Sequence, residues 1–127
     1  MDTNFELRDG STDLTADETL TSVQVGPMLR PLWLHILVPE IAEANDTIDV
    51  ELEFCDSAAS TTEVYNMNMK QITAAGHFSV PFFMAPTLEY LQVKLNITDA
   101  DSGSDFDAGA VKVWIDNANR YDGPYLT

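Results

Sequence analysis

A strict alternation of apolar and acidic side chains over residues 47–54 restricts the fold more than any other feature of this chain. The apolar members are Ile48, Val50, Leu52 and Phe54, and the acidic members between them are Asp49, Glu51 and Glu53. Successive side chains of a strand point to opposite faces of the sheet. The pattern therefore predicts a half-buried β-strand with one acidic face in water.

The rest of the chain shows the same period of two. Similar alternation occurs over residues 91–97, 110–115, 20–26 and, more weakly, 4–8 and 63–72. Residues 32–38 are apolar on both faces, which predicts a central strand, and Pro81 within residues 76–84 predicts an edge strand or a bulge. Only residues 41–45 could form a short helical turn. The sequence predicts an all-β antiparallel β-sandwich or jelly roll of about eight strands, with little or no helix.

The length of 127 residues predicts a single domain over residues 1–127, since chains of this size form one core. Within it we expect an N-terminal arm or long loop over residues 1–19 and a C-terminal tail over residues 116–127. Hydrophobic residues make up 45% of the chain, which is typical of a globular protein. No apolar run is long enough to span a bilayer, and we expect no signal peptide.

Charge and cysteine content exclude several classes of function. The net charge of −15 would repel phosphate backbones and anionic lipid, so we expect neither nucleic acid nor a membrane surface as a partner. The single cysteine, Cys55, excludes an internal disulfide and a cysteine-based zinc site. It ends an apolar strand, which favours a buried structural thiol.

The acidic stretch over residues 99–107 raises the question of a metal site. Its candidate ligands are Asp99, Asp101, Asp105 and Asp107. An EF-hand loop requires a glycine at its sixth position and a bidentate Glu at its twelfth, whereas this stretch, counted from Asp99, has Ser104 and Ala110 there. Asp, Ser and Gly also make good solvated turns. The sequence therefore predicts a turn and no metal, and a looser calcium site stays the alternative.

Catalytic signals are weak. His35 lies in the most apolar strand, which favours a hydrogen-bonded structural role, and His77 begins another strand. No nucleophile elbow, phosphate-binding loop or zinc-protease motif occurs. The paired carboxylates of a glycosidase depend on the fold, but the chain is short for a substrate cleft. We predict a protein that is not an enzyme and has no cofactor.

Aromatic and apolar side chains give the candidates for an interface. They are Val80, Pro81, Phe82, Phe83, Met84 and Pro86 in one stretch, Trp114 near the end of a strand, and Tyr121 and Tyr125 in the tail. The stretch around Phe82 forms either a contact surface or an internally packed edge. Trp114 alternates with Val113 and Ile115, which predicts an outer-face position, where it is either exposed as an anchor or covered by a loop.

Several segments together resemble a known group of proteins. The matching pieces are residues 9–15, 49–56, 72–78, 90–95 and 109–115. In this order they resemble the small jelly-roll capsid cement, or decoration, proteins of tailed bacteriophages. Where such proteins often carry a basic stretch, residues 79–86 are apolar.

The resemblance implies a structural virion protein made in the host cytoplasm and located on the exterior of the capsid. Its partner would be the major capsid protein, and it would act as a homo-oligomer, either a dimer or a trimer, that bridges neighbouring subunits. The alternative function is a carbohydrate-binding β-sandwich module that uses Trp114 or the tyrosines as a stacking platform.

Overall fold

The computed structural model describes residues 6–25, 32–57, 63–83, 88–100 and 105–116. These residues contain nine strands and no helix. The strands are β1 (Glu6–Asp9), β2 (Glu18–Thr19), β3 (Val23–Gln24), β4 (Leu32–Val38), β5 (Thr47–Cys55), β6 (Glu63–Asn68), β7 (Gly76–Phe82), β8 (Tyr90–Thr98) and β9 (Lys112–Asp116). No helix able to cross a membrane occurs within these ranges.

The strands form two antiparallel sheets packed as a β-sandwich, which confirms the predicted fold class. The four-stranded sheet has the order β1-β9-β4-β7, and the five-stranded sheet has the order β2-β8-β5-β6 with β3 also paired to β8. The pairs are nested along the chain, since β1 pairs with β9, β2 and β3 with β8, β4 with β7, and β5 with β6.

The core lies between the sheets and is built by the alternating residues that the sequence pattern identifies. The inward side chains of β5 and β8, with those of β4 and β9, form one cluster of buried residues. Ile48, Val50, Leu52 and Phe54 of β5 are fully buried. As predicted, β4 lies in the interior of its sheet between β9 and β7, and β7, which contains Pro81, lies at the edge.

Residues 10–17 form the predicted long loop, between β1 and β2, and not an arm. Residues 6–9 and 18–19 form strands of opposite sheets, and Leu14 between them is fully buried in the core. Arg8 fixes this region, because its buried guanidinium bonds both to Glu18 and to the backbone carbonyl of Val111. Apart from Asp116, the predicted C-terminal tail lies outside the described residues.

Smaller differences concern single elements. Residues 41–45 contain no helical turn, and Ala44 and Asn45 form a turn with Asn45 at a φ of 72°. Glu53, predicted on a wet face, is only 8% exposed, and its carboxylate pairs with Lys94 at 2.9 Å. Cys55 is a buried thiol, as predicted.

Candidate functional site

Residues 80–83 are the described part of the predicted interface stretch, and they lie at the end of β7. Alternation along the strand turns Val80 and Phe82 toward the core, where Phe82 is only 3% exposed. Phe82 is therefore a core residue and not an interface candidate. Pro81 is exposed and Phe83 is 50% exposed. Met84 and Pro86 lie outside the described residues.

The backbone carbonyl of Phe83 contacts a second exposed aromatic side chain, for which the sequence pattern gives no signal. Tyr65 of β6 is 38% exposed, and its hydroxyl donates a hydrogen bond to the carbonyl of Phe83 at 3.2 Å. The Tyr65 ring stacks on the buried ring of Phe54 with centroids 4.5 Å apart. We call Tyr65 and Phe83 the edge patch, because β6 and β7 are edge strands of opposite sheets. They are the exposed large hydrophobic residues of the described chain.

Trp114 lies on the predicted outer face of the four-stranded sheet, but it is buried. It is 2% exposed, and its ring stacks on His35, its cross-strand partner, with centroids 5.1 Å apart and planes at 6°. His77 packs against the same indole at 5.2 Å. Cross-strand neighbours thus occupy the indole face, so Trp114 offers no open platform for a sugar.

The two histidines form a structural pair. His35 is fully buried, and His35 Nδ1 lies 2.9 Å from His77 Nε2, so one ring donates a hydrogen bond to the other. Burial of His77, with a smaller contribution from His35, lowers the pKa of His77 from 6.5 to about 4. Both features agree with the structural role predicted for His35. Two imidazoles are also too few for a zinc site, which takes four ligands.

Some carboxylates of the acidic stretch accept hydrogen bonds from nearby backbone N–H groups. Asp107 Oδ1 accepts a hydrogen bond from the backbone N–H of Gly109 at 2.8 Å, and Asp99 Oδ2 accepts one from Asp105 N at 3.3 Å. The carboxylate of Asp105 is exposed, and Asp101 lies outside the described residues. The four predicted candidates therefore do not form a common ligand set in the described chain.

Asp99 instead belongs to a carboxylate group that the sequence analysis misses. One ligand oxygen from each of Glu43, Asp46 and Asp99 lies within 4.8 Å of the others. The register of β5 on β8 explains this meeting, since Thr47 is the Cα partner of Thr98 and the residues beyond them lie side by side. The local signal in the sequence is only an Asn45-Asp46 turn, which does not reveal its distant partner.

A shallow cavity of about 380 Å³ lies beside β1 and β2. Its one basic side chain is Arg8, whose guanidinium is already engaged by Glu18 and by the carbonyls of Thr12 and Val111. The remaining lining residues include Thr12, Thr19 and Thr21, with no His, Cys or Lys among the residues that the structure places there.

Comparison of the chain with protein-family models, with curated proteins and with solved structures finds no match.

Proposed function

We propose that this protein is a structural virion protein, a capsid cement protein that binds the outside of an icosahedral phage head and bridges neighbouring major capsid proteins. The edge patch is the observation that carries the proposal. Scattered exposed apolar residues are ordinary on a protein surface. The Tyr65 hydroxyl, however, bonds to the backbone carbonyl of Phe83, which places the two exposed aromatic residues side by side, and Phe54 supports the Tyr65 ring from beneath. A supported aromatic side chain that remains exposed has the properties of an interface anchor.

The strand arrangement supports the same proposal. The nested antiparallel pairing of the described strands is that of a jelly roll, an architecture common in viral capsid and lectin domains. Among the described strands, β6 and β7 are the sheet edges that flank the patch, and a sheet edge is where an extended segment of a partner adds a strand. The resemblance of the sequence to cement proteins favours a capsid as the partner of this surface.

Such a protein would act through several modest contacts. A homo-oligomer that holds two or three capsid subunits raises the effective concentration of each contact. It stabilises the shell by mass action, because it binds the assembled state and not the dissociated subunits. A dimer is the default for such an assembly and a trimer is the alternative, which sedimentation velocity distinguishes.

The test is titration of the purified protein onto expanded capsids that lack it, with bound stoichiometry and capsid melting temperature as readouts. We expect saturation at a simple ratio to the major capsid protein and a raised capsid melting temperature. The Phe83→Ser variant should bind about tenfold more weakly or worse, because it loses the aromatic anchor. The matched control Phe83→Tyr keeps the ring and should bind like the wild type.

The outcomes test the cement role and the edge patch as its contact surface separately. Failure of the wild-type protein to bind its cognate capsid would overturn the cement proposal. Wild-type affinity in Phe83→Ser would leave the cement role standing and remove the edge patch as its contact. The free Phe83→Ser protein should melt near the wild-type temperature, since Phe83 is 50% exposed.

A carbohydrate-binding module is the alternative outcome of the same test. With Trp114 buried, the exposed aromatic residues of the described chain that could form a glycan platform are Tyr65, 38% exposed, and Phe83, 50% exposed. Glycan-array binding that Tyr65→Ala abolishes, together with no capsid binding, would establish that alternative.

A further inference from the structure

We infer that Glu43, Asp46 and Asp99 form a calcium-binding site at the end of the sandwich where β5 begins and β8 ends. One ligand oxygen from each residue lies within 4.8 Å of the other two. The site is separate from the edge patch, and the inference does not depend on the cement proposal.

Asp46 supplies the observation that points to a ligand. Its side chain is 1% exposed, and its Oδ1 accepts a hydrogen bond from the backbone N–H of Ala100 at 2.9 Å. Its Oδ2 is also buried and has no hydrogen-bond partner. A buried carboxylate oxygen without a partner is costly, and native proteins normally satisfy it with a donor or a cation. The Asp46 side chain thus presents an unsatisfied oxygen in a group of three carboxylates.

The charge of the group favours a cation over a buried water molecule. Three carboxylates within this distance repel one another, and the whole chain has a net charge of −15. A water molecule can donate to Asp46 Oδ2 but leaves that repulsion in place. A divalent cation satisfies the oxygen and neutralises most of the charge.

The surrounding backbone holds the three carboxylates in position. Asp46 N donates to the carbonyl of Glu43 at 3.4 Å, and Asp99 Oδ2 accepts from Asp105 N at 3.3 Å. The Asp46–Ala100 hydrogen bond ties the turn before β5 directly to the segment after β8. The site therefore draws its ligands from two loops that the β5–β8 register brings together.

The ligand chemistry selects calcium. All three side chains offer carboxylate oxygens, which hard cations prefer, whereas zinc favours nitrogen and sulfur. Two Ca–O bonds of about 2.3–2.6 Å span up to about 5 Å, so every oxygen pair of the group can share one Ca²⁺. Calcium also accepts irregular geometry and completes its shell with carbonyls and water. Magnesium demands a tighter, nearly regular octahedron.

The experiment measures the melting temperature and the calorimetric binding of the full chain with CaCl₂, MgCl₂ or EGTA, at ionic strength held constant with KCl. We expect saturable Ca²⁺ binding and a rise in melting temperature of about 10 °C at a free Ca²⁺ concentration of 100 times Kd. Mg²⁺ should give a smaller rise. Asp46→Asn keeps the acceptor for Ala100 N but replaces Oδ2, and it should weaken Ca²⁺ binding at least about tenfold.

Two further variants keep the test decisive. Asp56→Asn removes one charge at an exposed residue beyond the opposite end of β5, away from the site, and should bind Ca²⁺ like the wild type. Should Asp46→Asn fail to fold, the part-exposed Glu43 provides Glu43→Gln, which should also weaken Ca²⁺ binding about tenfold. No binding and no shift in the wild type would overturn the inference. Equal losses in Asp56→Asn and in the site variants would overturn it as well, because they would indicate general attraction to an acidic surface.

Discussion

His77 makes the stability of this protein depend on pH at the scale of a single side chain. Its pKa falls from 6.5 to about 4 because its burial, and to a lesser degree His35, disfavour the charged ring. The unfolded chain therefore binds a proton that the folded chain does not bind between about pH 6.5 and 4. The stability associated with neutral His77 is present above pH 6.5 and is lost as the pH falls through this window.

We expect wild-type protein to lose about 1–2 kcal/mol of unfolding free energy through this group between pH 7.5 and pH 4.5, a value reduced for the partial exposure of the ring. Urea unfolding at the two pH values measures the loss. His77→Gln can still hydrogen-bond to His35 but does not titrate, so its loss should be smaller by that amount. Lys112 and Asp116 lie on the same outer sheet face and remain unchanged in this comparison. Identical pH responses in the two proteins would show that His77 does not link protonation to folding.

At the scale of elements, Arg8 links the edge strand β1 of one sheet to the edge strand β2 of the other sheet. The side chain lies on β1 and is 8% exposed. Its Nε and Nη2 donate to both carboxylate oxygens of Glu18 on β2, at 2.9 and 3.0 Å, and its Nη1 donates to the carbonyls of Thr12 and Val111, each at 2.8 Å. A planar guanidinium can make this set of bonds at once, whereas an ammonium group cannot.

Replacement of Arg8 by Met should lower the unfolding free energy by about 2–4 kcal/mol, because it leaves a buried carbonyl and the Glu18 carboxylate without their donor. Chemical denaturation measures the change. Lys70→Met removes the same charge from an exposed position and should cost less than about 0.5 kcal/mol. A loss below about 1 kcal/mol for Arg8→Met would mean that the Arg8 network does not stabilise the fold.

The sequence predicts best those strands whose buried residues follow from the apolar pattern within the strand itself. The alternation in β5 and β8 and the continuous apolar run in β4 identify these strands to within a residue or two. The two-residue strand β2 is not predicted, because pairing to β8 and not a local pattern defines it. β3 lies within the strand predicted over residues 20–26 but occupies only two of its residues. Glu18 in particular is a polar residue whose place depends on Arg8.

The candidate sites were less predictable, because contacts between distant segments and not a local pattern bring their residues together. Asp46 and Asp99 are far apart in sequence, and only the β5–β8 register makes them neighbours. The alternation of β9 correctly places Trp114 on the outer face, but its ring contacts with His35 and His77 come from two other strands and leave no local signal in the sequence. Phe83 could be proposed from sequence, whereas its contact with Tyr65 requires the two sheets to be packed.

For the whole molecule, the excess of acidic residues is the dominant electrostatic feature. The chain has 21 Asp and Glu against six Lys and Arg. Two of the basic residues, Arg8 and Lys94, are engaged in the ion pairs seen in the described chain. Most of the acidic charge is therefore not balanced by such pairs, and folding brings it into a smaller volume, where self-repulsion opposes the compact state.

Screening of this repulsion by salt should stabilise the protein. The Debye length falls from about 30 Å at 0.01 M to about 8 Å at 0.15 M, so most repulsion between distant surface charges is removed over this range. We expect the melting temperature to rise by about 3–8 °C between 0.01 and 0.3 M NaCl, and equally in KCl, measured in EGTA so that calcium does not contribute. Asp13→Lys reduces the net negative charge by two at an exposed position, so it should melt higher than wild type at low salt and respond less to added salt. A melting temperature that falls with salt would show that attractive ion pairs, and not self-repulsion, dominate the electrostatic contribution to stability.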